Sequence, residues 1–376
     1  MKFVVSSSEL LARLLSVSRV ISSKNTIPAL DNFLFVLKDG ELQITASDLE
    51  TSLKTNMRIE NTEEGGELTI PAKLLVDSLR EQPDIPLEFK TDPQMVSIEI
   101  SWTNGSSTLP CMSADDYPAL ASISEENTQV TINSHTLLEG INRTLYATAE
   151  EELRPVMNGI FFDIDTDSTT LVASDAHKLV CFTRYDIKSD VKSSFILPKK
   201  PSSILKNLLS KVGENVKIVF DGKNAHFEFE SFVLVCRLVE GNYPAYRSVI
   251  PKNNTNKLII NRQDFLNSTR RVSVCSNQAS SQVKLNLSLN QLVISAQDLD
   301  FSISAYERLS CQYEGDPMEI GFKSTFLIDI LTNLPYNDIS LELSDPSRAA
   351  LILPSEQQSD SVEDILALIM PMMVSA

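Results

Sequence analysis

The sequence predicts an α+β fold of three tandem, similar domains, each with two helices packed on a mainly antiparallel sheet. Three recurrences carry this reading. Leu10, Leu137 and Phe265 sit in apolar helical stripes and stand 127 and 128 residues apart. Each stripe leads into a pair of alternating apolar runs ending in Asp48, Asp175 and Asp298. A second helical stripe then follows in every copy. A chain of 376 residues exceeds one core of ordinary size, and 42% hydrophobic with 22% charged residues is an ordinary globular balance.

In the first copy Ser6 stands three residues before Glu9, a capping-box spacing, and Leu10, Leu11, Leu14 and Val17 follow at helical intervals. In the second, Thr136 and Glu139 bracket a stripe of Leu137, Leu138, Ile141 and Leu145. In the third, Asn261 and Asp264 precede Phe265, Leu266, Thr269 and Val272. The strand pairs NFLFVLKDGELQITASD, GIFFDIDTDSTTLVASD and VKLNLSLNQLVISAQD turn at Asp-Gly, Thr-Asp-Ser and Leu-Asn-Gln. The second helices are PAKLLVDSLREQ, PKKPSSILKNLLSKV and FKSTFLIDILTNL. Proline opens the first two, where its missing N–H costs nothing. Each copy closes with further strands, two of them carrying Tyr117-Pro118 and Tyr243-Pro244 near their ends. The polar joints SISEENTQ and PKNNTNK set domain boundaries at 1–127, 128–252 and 253–376.

Composition excludes several functions. The five cysteines are scattered, odd in number and never in C-x-x-C, which points to buried thiols and not to a disulfide framework or zinc ribbon. None of His135, His177 and His226 has a partner at metal-ligand spacing. No G-x-G-x-x-G or G-x-x-x-x-G-K-[ST] loop is present, so no nucleotide or other cofactor is expected. No run approaches the roughly 20 apolar residues of a membrane span, and the N-terminus lacks a signal-peptide layout, so a soluble cytoplasmic protein is expected.

A net charge of −17 argues against a simple nucleic-acid binder. The helices are nevertheless basic: Arg13, Arg19 and Lys24 near the first, Lys199, Lys200, Lys206 and Lys211 on the fourth, and Arg262, Arg270 and Arg271 on the fifth. The acids gather in turns and joints such as NTEEGGE, SADDY and ISEEN. One basic surface meeting a polyanion fits this pattern, and so does a merely solvated helical face.

LVASDAHKLV, residues 171–180, places Ser174, Asp175 and His177 within four positions. Ser and Asp recur as Ser47 and Asp48 without a histidine, and the third copy has Gln297 before Asp298. A strand-ending turn explains partial copies better than a nucleophile does, because Ser and Asp side chains satisfy backbone N–H groups there. A hydrolase centred on these residues and a monomeric interaction scaffold are the competing readings.

The N-terminal MKF, Ile27-Pro28, Arg154-Pro155-Val156-Met157-Asn158-Gly159, Ser174-Asp175-Ala176-His177-Lys178-Leu179, EGNYPAYRSVIP and terminal Met370-Pro371-Met372, in this order and spacing, resemble the β subunit of bacterial DNA polymerase III, the replication sliding clamps. The resemblance runs from residue 1 to about residue 374. It implies a DNA clamp fold whose head-to-tail homodimer closes a ring. Helices would line the hole and meet duplex DNA without reading bases, and a separate ATP-driven clamp loader would open the ring. It also implies no catalysis and no metal. Lys24, Lys73, Arg154, Lys199 and Lys200 match the family's DNA contacts, and Leu109, Val274 and Cys275 its dimer anchors.

The resemblance further implies a peptide-binding groove for polymerase, loader, repair and translesion partners, whose segments often carry a glutamine followed by leucine and phenylalanine. Its lining would be Met157, the turn residues Ser174, Ala176, His177, Lys178 and Leu179, then Pro244, Arg247 and Val249, and finally Leu368, Met370, Pro371 and Met372. Methionine and aliphatic walls can repack around different anchors. Lys323 and Phe326 stand where relatives often carry Asn and Tyr. The tail continues past Met372 with Met373-Val374-Ser375-Ala376, where a basic residue and an early stop are common.

Overall fold

In the computed structural model the described residues are 1–374, apart from 23, 24, 26, 61, 93, 95, 151–153 and 357–360. Six α-helices are found among them: α1 Ser7–Val17, α2 Ala72–Arg80, α3 Ser134–Thr144, α4 Lys199–Leu209, α5 Arg262–Ser273 and α6 Ser324–Asn333. They accompany antiparallel sheets of five, eight, nine and four strands. This is the mixed α and antiparallel β architecture that the sequence predicts, two helices to each copy.

Helix starts follow from capping. The Ser6 hydroxyl accepts the Glu9 N–H at 3.3 Å, and Asn261 Oδ1 accepts those of Gln263 and Asp264 at 3.1 Å. In the second copy α3 begins ahead of the expected Thr136: Asn133 Oδ1 accepts the His135 N–H at 3.0 Å, and the helix opens at Ser134. A short polar side chain at the strand–helix joint serves the orphan N–H groups in all three copies. Ser6, Asn133 and Asn261 keep the 127- and 128-residue spacing.

The chain gathers into two compact units, residues 1–138 with 203–238, and residues 139–202 with 239–376. In the first unit, the strand Phe232–Arg237 of the second copy pairs with Thr51–Arg58 of the first, Cys236 opposite Thr51 and Phe232 opposite Thr55. In the second unit, Lys178–Arg184 pairs with Glu363–Ile369, Lys178 opposite Ile369 and Phe182 opposite Ile365. These seams make the eight- and nine-stranded sheets continuous. Gly105–Pro110 and Ile303–Ser310 lie at sheet edges, each with one strand neighbour among the described residues.

Alternation along the strands puts one face into each core. In the second unit Phe182, Phe265, Leu285, Ile294, Phe322 and Ile365 share one buried cluster across the seam. Truncating Phe182 to Ala would cost about 3–5 kcal/mol.

Three of the helix arginines serve the fold. Arg13 donates to Thr55 Oγ1 at 3.3 Å and to Ser231 Oγ, and its guanidinium lies 5.4 Å over the Phe232 ring, so it ties the first seam. Arg262 donates to the carbonyls of Leu331 at 2.8 Å and Tyr336 at 2.7 Å, serving orphan acceptors near the end of α6. Arg271 forms a forked pair with Glu307 at 2.6 and 2.7 Å. The cysteines also depart in part from expectation: Cys111, Cys181 and Cys236 are buried, whereas Cys275 and Cys311 are half-buried.

Candidate functional site

The Ser-Asp motif is a turn in the structure. Asp175 Oδ1 accepts the N–H groups of His177 and Lys178 at 2.9 and 2.8 Å. The Ser174 hydroxyl donates to the Lys178 carbonyl at 2.9 Å and accepts from the Ala176 N–H at 3.1 Å. In the first copy, Asp48 Oδ1 accepts from Glu50 and Thr51, and Ser47 from Leu49. Leu49 and Ala176 hold matching left-handed conformations, φ +78° and +73°, which side chains other than glycine rarely adopt. With its hydroxyl spent on a carbonyl, Ser174 has no base to activate it.

This turn forms one wall of an apolar cavity of about 390 Å³ in the second unit. Met157, Ser174, Ala176, Lys178, Leu179, Pro244, Val249, Leu368 and Met370, all expected from the sequence, line it together with Tyr243, Ala245, Tyr246 and Ser248. Leu179 and Leu368 face each other across the seam. The wall at 243–249 is held from behind. Tyr243 stacks on Phe161 with centroids 4.7 Å apart, while buried Asp163 accepts the Tyr246 hydroxyl at 2.8 Å and pairs with Arg247 at 3.0 Å. Arg247 therefore braces the wall, with most of its side chain exposed. Burial pushes the Tyr243 and Tyr246 hydroxyls up, with Asp163 adding to the rise at Tyr246, and pushes the nearby Cys181 thiol up to about 12.

A second, polar cavity of about 600 Å³ shares Lys178 and Met370 with the first. His177, Lys323, Phe326, Pro371 and Met372 line it, again as expected, and so do Tyr146, Glu150, Asp175, Lys199 and Asp329. Lys178 is buried: its ammonium lies 2.9 Å from Asp175 Oδ2, 3.5 Å from Asp329 and 4.4 Å over the Phe326 ring. The His177 imidazole opens on this cavity and not on the apolar one. An extended peptide could place aliphatic or aromatic anchors in the apolar cavity and an amide side chain among the donors and acceptors of the polar one.

Of the loop tyrosines, Tyr243 was legible as a Tyr-Pro repeat, and Tyr246 only as part of the EGNYPAYRSVIP stretch. Tyr146 and Asp329 had no signal: Tyr146 matches Arg19 in the first copy, and Asp329 recurs there as Asp77 on α2, where it reads as an ordinary helix-surface acid. Of the expected DNA contacts, Lys24 lies outside the described residues. Lys73 is exposed on α2, and Arg154 is exposed ahead of the short turn Pro155–Met157. Lys199 pairs with Glu150 at 2.7 Å, and that ammonium holds the Glu150 carboxyl below its usual range. Lys200 follows it at the start of α4. Of the dimer anchors, Leu109 is 6% exposed on the edge strand Gly105–Pro110, Val274 is 78% exposed just past α5, and Cys275 is half-buried.

Family models for the N-terminal, central and C-terminal domains of the DNA polymerase III beta subunit match residues 1–121, 131–245 and 247–373. The beta sliding clamp of Haemophilus influenzae is 30% identical over 365 residues, 96% of this chain and 97% of the relative. That of Proteus mirabilis is 31% identical over 351 residues, 92% and 94% of the two chains. A crystal structure of a DnaN sliding clamp from Bartonella birtlesii, bound to griselimycin, superposes with a TM-score of 0.93 at 32% identity over 100% of both chains. The chain belongs to the DNA polymerase III β-subunit family, the sliding clamps, non-catalytic processivity factors of DNA replication.

Proposed function

We propose that two copies of this chain close head to tail into a ring around duplex DNA, each copy contributing three domains, 1–127, 128–252 and 253–376. One observation carries this. Each seam joins a hairpin strand of one copy of the repeat to the strand after an Asp turn in its neighbour. Cys236 faces Thr51 in one seam and Ile369 faces Lys178 in the other. The hairpin partners Ser47–Ser52, Ser174–Leu179 and Gln297–Ser304 make Ile303 the third counterpart of Thr51 and Lys178. Leu109 is likewise the counterpart of Cys236 by its place in the hairpin Ser97–Pro110. The repeat thus supports a third seam, Gly105–Pro110 of one copy against Ile303–Ser310 of the other, with Leu109 opposite Ile303. Edge strands of this kind need covering, and a closed ring of two copies covers both. Leu299, Phe301 and Tyr306, 66–80% exposed beside the second edge, fit a face that a partner buries.

Lys73, Arg154, Lys199, Lys200 and Lys24 would meet phosphates loosely, and retention on DNA would be topological. The paired cavities would take short segments of the replicative polymerase, the clamp loader and repair or translesion polymerases in the cytoplasm. Negative-stain imaging tests the ring: closed six-lobed particles with an open centre are expected, and compact or crescent particles at all concentrations would overturn it in favour of a monomeric scaffold.

A further inference from the structure

In every repeat the chain leaves the last strand of its domain and straps itself onto the strand preceding the second helix. Three residues past Leu109, Met112 exchanges hydrogen bonds of 2.9 and 3.0 Å with Thr69. Three residues past Cys236, the Val239 N–H donates to the Ile196 carbonyl at 3.1 Å. Three residues past Ile369, the Met372 N–H donates to the Gly321 carbonyl at 2.8 Å. Thr69, Ile196 and Gly321 each stand three residues before the start of a second helix. The straps are one device, backbone added to an edge strand.

The third strap differs in two ways. Its own residues, Met370, Pro371 and Met372, are walls of the polar cavity. The strand position beneath it is glycine, where the other copies have threonine and isoleucine. A Cβ at Gly321 would come within 2.9 Å of the Met372 carbonyl oxygen and 2.6 Å of Gln282 Nε2, so any side chain there would lift the strap. Gln282 Nε2 donates to the Met373 carbonyl at 2.9 Å, and upstream the Met370 N–H donates to the His177 carbonyl at 2.8 Å. The strap is therefore fixed at 370, 372 and 373.

We propose that Gly321 and Gln282 are specificity-determining positioning residues of the groove. They press residues 370–373 along the strand Met318–Lys323 and so hold Met372 as the wall against which the polar cavity reads an amide side chain. The inference rests on the peptide-groove reading.

The test measures fluorescence anisotropy with two labelled peptides, Gln-Leu-Ser-Leu-Phe and Ala-Leu-Ser-Leu-Phe. The readout is the ratio of their Kd values. In Gly321→Ala the preference for glutamine falls about tenfold, the size expected from misplacing one good hydrogen bond to the amide, while the Kd of the alanine peptide moves less than twofold. Gln282→Ala, which leaves the backbone unstrained, lowers the preference in the same direction by about threefold and decides the matter if Gly321→Ala does not fold. A preserved ratio in both variants, or equal weakening of both peptides, overturns the proposal. Wild-type protein that binds neither peptide removes the groove reading itself, and the inference with it.

Discussion

The His177 imidazole lies nearly parallel to the Phe326 ring, with centroids 5.7 Å and planes 19° apart, and the ammonium groups of Lys178 and Lys323 stand 4.4 and 4.8 Å from the centre of that ring. One aromatic face thus organises the histidine and two cations at the mouth of the polar cavity. A cation–π contact contributes about 0.5–1 kcal/mol where exposed and about 2 kcal/mol where desolvated, and Lys178 is buried. Losing the ring that orients these groups should cost the peptide about 1–2 kcal/mol, so Phe326→Ala should weaken a glutamine-bearing peptide by about 5- to 30-fold, with Phe326→Tyr within about twofold of wild type. Wild-type affinity in the alanine variant would show that the ring has no part in binding.

The brace behind the apolar cavity is a separate unit. Asp163→Ala leaves the buried Tyr246 hydroxyl without its acceptor, a loss of about 1–3 kcal/mol. We expect a lower unfolding midpoint and weaker binding of the leucine and phenylalanine anchors, with the preference for glutamine intact. Asp163→Asn keeps an acceptor and should recover most of the stability. A selective loss of the glutamine preference would contradict this division between the cavities.

Much of this was legible because the chain repeats itself. The turn at Ser174 and Asp175 could be told from a catalytic set by its partial copies, and the apolar cavity by the order of four short motifs. Other features were hidden for physical reasons. Thr136 and Glu139 mimic a capping box, and the Asn133 that caps α3 reads as the end of a strand. Arg13 and Arg262 look like solvated charge in sequence, because nothing local reveals a seam hydroxyl or a helix-end carbonyl contributed from far along the chain. Arg247 has the same limit: its partner Asp163 lies 84 positions away.

Thiol labelling separates core from interface. Burial pushes Cys181 and Cys236 up to about 12, so at pH 8 both should remain in the unreactive thiol form. Mass spectrometry after iodoacetamide treatment should find Cys275 modified first. If Cys275 lies at the dimer contact, its labelling should also slow as protein concentration rises. Labelling of Cys181 in folded protein would be inconsistent with its place in the core.

The expected DNA contacts should differ in strength. Lys73 is exposed on α2, whereas Lys199 is engaged by Glu150 at 2.7 Å. Each phosphate neutralised contributes about 0.9 to the slope of log K against log salt. Lys73→Ala should therefore flatten the slope by nearly that amount on short linear duplex, and Lys199→Ala by less. Glu150→Gln should steepen it. Identical slopes for all three variants would remove these residues from the DNA-facing surface.

The proposed third seam has a definite register, which makes it open to a charge-swap test. With Leu109 opposite Ile303, antiparallel pairing puts Thr108 opposite Ser304 of the partner copy. Both are exposed in this chain, so substitution there should spare the fold. Like charges directly opposite on paired strands destabilise, and opposite charges contribute roughly 0.2–1 kcal/mol per pair. A dimer made through two such seams feels the change twice. T108D/S304D should shift sedimentation toward monomer at low micromolar concentration, and T108D/S304K should restore the dimer. Placing the lysine at Ala305 instead should not restore it, because a one-residue slip turns the side chain to the other face of the sheet. Rescue by the wrong position, or a T108D/S304D protein that stays fully dimeric, would mean that the two edges do not pair as the repeat predicts.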